Sequence, residues 1–215
     1  PIYGCYVVGR NWHFMVLEGK EYATTKAYSA DNDNIFEIIR MLKALRNILF
    51  TKNGPFFFAD TTVNVNPTAQ DIVDITALTA KIIQRFRIVP RIGLLSYSNF
   101  GSSEGEDAIK MREATKMLHE QYPELIVDGE IQANFALNRE LRDEIFPFSE
   151  LARKNTNTLI FPNLSSGNIA YKLMQEMGGN EAIGPILLGM KKPVHILQLG
   201  SSVREIVNMV TIAVA

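Results

Sequence analysis

At 215 residues and a formal net charge of −1, the chain can bury one large α/β core or two small lobes, and it carries no field that would draw nucleic acid or a membrane surface. No apolar run approaches the roughly 20 residues that span a bilayer, no signal peptide is visible, and Cys5 is the only cysteine; a reducing, cytoplasmic setting follows. His13, His119 and His195 lie too far apart in sequence for metal-ligand spacing, and Pro1, which is not an initiator methionine, suggests a piece of a longer chain.

Tyr3 to Val8 and His13 to Leu17 are β-favouring runs separated by Gly9-Arg10-Asn11, which predicts a hairpin or sheet edge. A helix is expected next. Asp31 or Asp33 caps it, and Ile35, Ile38, Ile39, Leu42 and Leu45 form its apolar stripe. Two further β-runs between Ile48 and Phe58 flank the Asn53-Gly54 turn signal. Pro67, capped by Asn66, fits the first position of a helix carrying Ile72, Ile75, Thr79, Ile82 and Phe86.

Arg91 to Ser96 predicts a strand. It opens into a loop holding Tyr97, Ser98, Asn99, Gly101 and Ser102, followed by a helix from Glu106 to Gln121. Leu125 to Asp128 predicts another strand, ending in a polar loop with Gly129, Glu130 and Gln132; the acids there suit general acid–base work or, more plainly, the capping of the next helix. Arg139, Glu140, Arg142, Asp143 and Glu144 read as a solvated helix face.

A second strand, Ser/Gly turn and helix unit begins at Thr158. Asn163, Ser165, Ser166 and Gly167 supply the turn, and Ile169, Leu173, Met174 and Met177 follow on one side of a helix that stops at Gly178-Gly179. Lys172 stands about a turn into it. Turns of this kind are natural seats for phosphate, and two of them after parallel-type strands point to a ligand cleft at the strand ends. Two short strands flank Lys191-Lys192-Pro193, and Ser202-Val203-Arg204-Glu205 forms a capping box for a last apolar helix. Strands alternating with helices predict a three-layer α/β/α architecture with a mostly parallel central sheet.

The stretches GPFFFADTTVNVNPTA, PRIGLLSYSNFGSS, IVDGEIQANFALN, LRDEIFPF and the run from Asn163 to Met209 resemble the phosphotransacetylase (phosphate acetyl/butyryltransferase) family. More narrowly, they resemble the phosphotransacetylase-like domain at the C-terminus of hybrid, NADP-dependent malic enzymes. The likeness covers 53–215 and is weak over 1–52, which divides the chain into a loosely assigned N-terminal part and a phosphotransacetylase-like domain. It implies the phosphotransacetylase/isocitrate dehydrogenase-like fold, compatible with two lobes and a cleft. The implied ligand contacts are Ser96, Ser98, Asn99, Gly101, Ser102, Asp128, Gln132, Asn163, Ser165, Gly167, Asn168, Lys172, Gln198 and Gly200.

The same resemblance exposes departures. The family carries an arginine near the first helix, and Arg40 sits out of place for it. Its serine and arginine before the Gly-small-Ser turn steady the transition state and grip phosphate; here Gln198 and Leu199 occupy those positions. Leucine cannot hold phosphate and glutamine carries no charge. The family's base falls on Glu205, which capping alone explains. The resemblance thus implies a domain without acyltransferase chemistry that binds acetyl-CoA or a related CoA thioester as an effector and forms a homo-oligomer. Oxidation of malate with NADP and a divalent metal would belong to another part of the polypeptide, since no dinucleotide-type GxGxxG and no metal cluster occurs in this sequence. A working phosphate acyltransferase and a purely structural oligomerisation domain are the alternatives.

Overall fold

The computed structural model describes residues 2–8, 11–18, 21–24, 26, 28–29, 55–178, 183–190, 194–195, 197 and 202–214. It divides into two units, Pro1–Pro55 and Phe56–Ala215.

In the first unit, β1 (Ile2–Val8) pairs antiparallel with β2 (Asn11–Glu18) in a register that sets Val8 against Asn11, which is the expected hairpin. β3 (Glu21–Thr24) and β4 (Tyr28–Ser29) also pair antiparallel with β2. The helix expected after Asp31, with Arg40 on it, and the Asn53-Gly54 turn lie outside the described residues.

The second unit is built on four parallel strands. β5 (Phe57–Ala59), β6 (Arg91–Leu95), β7 (Ile126–Ile131) and β8 (Thr158–Ile160) lie in the order β5-β8-β6-β7. Side-chain alternation along a strand sends successive residues to opposite faces. Ile92, Leu94, Val127 and Ile160 therefore meet α1 (Ala69–Arg85) and α2 (Glu106–Gln121) through Ile72, Val73, Met111 and Leu118. Leu95, Leu159 and Phe161 face the other way, against Ala136 of α3 (Ala133–Leu137) and Ala170 of α5 (Leu164–Gly178). Helices on both faces give the three-layer α/β/α architecture. A short helix α4 (Arg139–Ile145) follows α3, and β9 (Ile186–Leu187) pairs antiparallel with β10 (Val194–His195) ahead of α6 (Val203–Val214). Among the described residues no helix is long and apolar enough to cross a membrane.

Three local expectations need correction. α1 starts later than Pro67: Thr68 is its N-cap, in a reciprocal capping box with Asp71, so Asn66 is left to the preceding loop. The buried side of α1 runs through Val73, Thr76, Ala80 and Ile83 as well as Ile72 and Thr79, rotated from the stripe read off the sequence. Arg142 belongs to no solvated face. It is fully buried, and its guanidinium donates to the carbonyls of Phe135, Ala136, Leu151 and Lys154 and to Thr156 Oγ1. It ties α3 to the segment that leads into β8.

Candidate functional site

Parallel strands deliver their C-terminal loops to one edge of a sheet, and ligands of open α/β folds gather there. Here the loops after β5, β6 and β8 converge on a cleft of ≈ 550 Å³ lined by Val65, Asn66, Tyr97, Glu106, Asp107 and Asn163.

The loop after β5 is shaped by one carboxylate. Asp60 accepts from the amides of Thr62 (2.7 Å), Val63 (3.0 Å) and Asn64 (2.7 Å) and from Asn64 Nδ2 (2.7 Å). Burial pushes its pKa up, but these four donors outweigh burial and hold it below the usual aspartate range. The loop then lies on the first turn of α5. A Cβ on Gly167 would stand 2.3 Å from the Asp60 carbonyl oxygen, so only glycine permits this approach. Leu164 N donates to Val65 O and Asn168 Nδ2 to Thr61 O.

The loop after β6 is shaped by another carboxylate, and the sequence did not reveal it. β6 and β7 pair Leu94 with Gly129 and Leu95 with Ile131, leaving Glu130 as the extra residue of a bulge. Such a bulge re-aims a side chain. Glu130 is fully buried; its Oε1 accepts from Ser98 Oγ (2.8 Å), Gly101 N (2.9 Å) and Arg112 Nη2 (3.2 Å), and Oε2 accepts from Arg112 Nε (3.1 Å). Burial raises its pKa, yet Arg112, the Gly101 amide and Ser98 together bring it below the ordinary glutamate value. Arg112 is raised in turn, chiefly by its hydrogen bonds to Glu130. Glu130 therefore lies in a strand and caps no helix, contrary to the plainer expectation for it.

The remaining groups of this loop are engaged with one another. Ser96 Oγ accepts from Ser98 N, Ser102 Oγ from Asn99 N, and Asn99 Oδ1 from Gln132 N, while Gln132 Nε2 donates to Tyr97 O. Ser96, Ser98, Asn99, Gly101, Ser102 and Gln132 are thus brought together around an anion the protein itself supplies. Asp128 is buried within β7 and is not among the residues lining the cleft; it accepts from Ser149 Oγ (2.6 Å) and Glu150 N (2.8 Å).

At the third loop the anticipated turn has become helix. Asn163 caps α5, its Oδ1 accepting from Ser166 N and its carbonyl from Gly167 N. Ser165 is exposed in the first turn. Lys172 lies eight residues beyond Leu164, roughly 12 Å along the axis at the standard rise, so it is two turns in rather than one. It is half-buried, with Nζ 5.1 Å from the centre of the Tyr171 ring. Burial, then the charge of Glu205, raises the Tyr171 pKa.

Asn163 Nδ2 reaches Asp107 Oδ2 (3.1 Å), and Asp107 Oδ1 pairs with Lys110 (2.8 Å), which also donates to Asn66. Asn66, Tyr97, Glu106 and Asp107 were not among the ligand contacts expected from sequence. The Thr68-x-x-Asp71 capping box was the available clue, because it frees Asn66 for the cleft. The expected capping box at Ser202 is present: Ser202 N donates to Glu205 Oε2 (2.6 Å) and Glu205 N to Ser202 Oγ (3.2 Å). Gln198, Leu199 and Gly200 lie outside the described residues. No metal-ligating cluster occurs among the described residues.

Comparison with known proteins adds a family. The model of "Phosphate acetyl/butaryl transferase" matches residues 15–214. The chain is 44% identical over 170 residues to an NADP-dependent malic enzyme of Haemophilus influenzae, covering 79% of this chain and 22% of that protein. It is 39% identical over 166 residues to a phosphate acetyltransferase of Clostridium acetobutylicum, covering 77% and 50%. In structure it is similar to a phosphotransacetylase from Streptococcus pyogenes, with a TM-score of 0.71 and 40% identity over 76% of this chain and 50% of that one.

Proposed function

The chain belongs to the phosphate acetyl/butaryl transferase family, and from that premise we propose that it is the regulatory part of a malic enzyme, binding acetyl-CoA as an effector without transferring its acyl group. The carrying observation is chemical. Gln198 and Leu199 stand where the family places its serine and arginine. An acyl transfer to phosphate needs the developing oxyanion and the phosphate charge met by strong donors. A neutral amide and an isobutyl group cannot meet them.

A local contact supports the same reading. Glu205 is engaged in the cap of α6, which suits a structural carboxylate better than a base. The chain spans about a fifth of the length of the malic enzyme it resembles, so malate oxidation, with its NADP and divalent metal, is assigned to the rest of such a polypeptide. Lys172 is the proposed cation for the CoA phosphates, and a cytoplasmic homo-oligomer is the proposed state.

Calorimetry with acetyl-CoA tests the proposal directly. Saturable binding to the wild-type chain is expected, with Lys172→Glu weakening it about tenfold, near 1.4 kcal/mol. A coupled assay with acetyl phosphate and CoA should show no thioester formation above background. Absence of binding at millimolar acetyl-CoA would defeat the sensor reading, and robust turnover would restore a working transferase.

A further inference from the structure

The parallel strands of the second unit end at the cleft and begin at the opposite pole, and that pole carries arginines the cleft does not use. β6 and β8 are neighbours, with Ile92 paired to Thr158. Arg87 lies five positions before Ile92, and Arg153 five before Thr158, so the two occupy equivalent places in adjoining entry segments. Both side chains are exposed. Both residues stand in the left-handed region, at φ 58° and 61°.

That conformation has a cost for any residue with a Cβ, and glycine or asparagine ordinarily takes it at the end of a helix. Arg87 follows the Phe86 cap of α1, with its amide donating to Gln84 O, so glycine would suit the fold better there. Strain of this kind gathers at functional positions. Among the described residues neither guanidinium has an ion-pair or hydrogen-bond partner. Arg85, by contrast, is accounted for by the last turn of α1, where a cation meets the helix dipole.

The two entry segments are fixed to each other. Asn157 Nδ2 donates to Val89 O (2.9 Å), Arg91 N to Asn157 Oδ1 (2.8 Å) and Asn157 N to Arg91 O (3.0 Å). Arg91 Nε donates to Asn155 O, which orients its guanidinium and leaves the two terminal nitrogens to serve another acceptor. Val89, between Arg87 and Arg91, is 59% exposed, while Pro90 beside it is buried.

From this arrangement we propose that Arg87, Arg91 and Arg153, with Val89 among them, form a docking surface for an acidic segment of a protein. A guanidinium receives a carboxylate through two parallel N–H donors, a geometry that lysine lacks. One aliphatic side chain among three arginines suits a short peptide that carries carboxylates and an apolar residue. A nucleic acid calls for a longer basic track, and the chain's net charge of −1 does not provide one. A lone valine gives a membrane little to hold. The proposal is independent of the acetyl-CoA reading.

The experiment follows the fluorescence anisotropy of a labelled oligoglutamate peptide titrated with the whole chain, with duplex DNA and phosphatidylserine vesicles as competitors. Saturable binding that weakens with added salt is expected. Arg87→Gly and Arg153→Gly should each weaken it about three- to tenfold while melting no lower than wild type, because glycine relieves the backbone. Arg87→Gln and Arg153→Gln keep the strained conformation without the charge and should weaken binding equally. Arg139→Ala, which removes an exposed cation from α4, should leave it unchanged. Absence of saturable peptide binding would overturn the proposal, as would wild-type affinity in the glutamine variants or an equal loss in Arg139→Ala. Glycine variants that lose both binding and thermal stability would make the arginines structural, and tighter binding of DNA or vesicles than of the peptide would assign the surface to another class of partner; either result also overturns it.

Discussion

Replacing Glu130 with glutamine keeps the side chain's size and removes its charge, which isolates what the internal anion contributes. The buried carboxylate receives four hydrogen bonds, from Ser98, Gly101 and two nitrogens of Arg112. A glutamine has one oxygen for them, and its amide group must oppose another donor. Hydrogen bonds to a charged group contribute about 1.5–3 kcal/mol and neutral ones about 0.5–1.5. The full cost of breaking a buried ion pair, about 3–5 kcal/mol, does not apply, because Arg112 keeps 35% of its side chain accessible and can hydrate. A net loss of about 2–3 kcal/mol is expected. Urea unfolding at neutral pH should show it as a lower midpoint with an unchanged slope.

The pH dependence supplies the sharper check. The folded pKa of Glu130 is depressed from an ordinary value of 4.5, so its stabilisation is complete above that value and is lost as pH falls through the folded one. Wild type should therefore lose its advantage over Glu130→Gln below pH 4.5. A gap under about 0.5 kcal/mol at neutral pH, or one that persists undiminished into acid, would refute the reasoning.

Other perturbations test separate features. Arg142→Met should cost about 3–5 kcal/mol in chemical denaturation, since it strands buried carbonyls that the guanidinium now satisfies. Gly167→Ala sets two effects against each other: better helix propensity, about 1 kcal/mol, and a Cβ 2.3 Å from a backbone oxygen, about 1–3 kcal/mol of overpacking. The second should win, lowering Tm and loosening the loop after β5 in hydrogen exchange. α6 exposes Val203, Ile206, Val207 and Val210, and the chain should self-associate; a monomeric mass by light scattering at micromolar concentration would count against that.

What was legible in the sequence had local causes. The α2 boundaries, Glu106 to Gln121, match the helix expected after the Ser/Gly loop. The Ser202 box needs only four residues to recognise. What was hidden depends on distance along the chain. Glu130 in DGEIQ looks like part of a polar loop, because its partners Ser98 and Arg112 are 32 and 18 residues away. Arg142 sits among charges that do face water, and its partners are backbone carbonyls, which leave no mark on a sequence. The two turns taken for open anion seats carry the right residues, but whether their donors remain open depends on Val65, Asn163 and Glu130, which belong to other segments or to the cap itself.

The same internal contacts show what shapes the loops around the cleft. Two of the cleft's loops are each held by a carboxylate of the protein. Asp60 gathers the loop after β5 and Glu130 the loop after β6. Asp60 and Glu130 are both kept ionised by their donors, so these loops need no bound phosphate to take shape. On the proposed reading, exchange of the family's serine and arginine for Gln198 and Leu199 removes transition-state stabilisation. Differential binding is what accelerates a reaction, whereas effector binding requires only a shaped surface and a difference in affinity between two states. On the proposed reading the first requirement fails, while the second asks only for loops such as those that Asp60 and Glu130 shape.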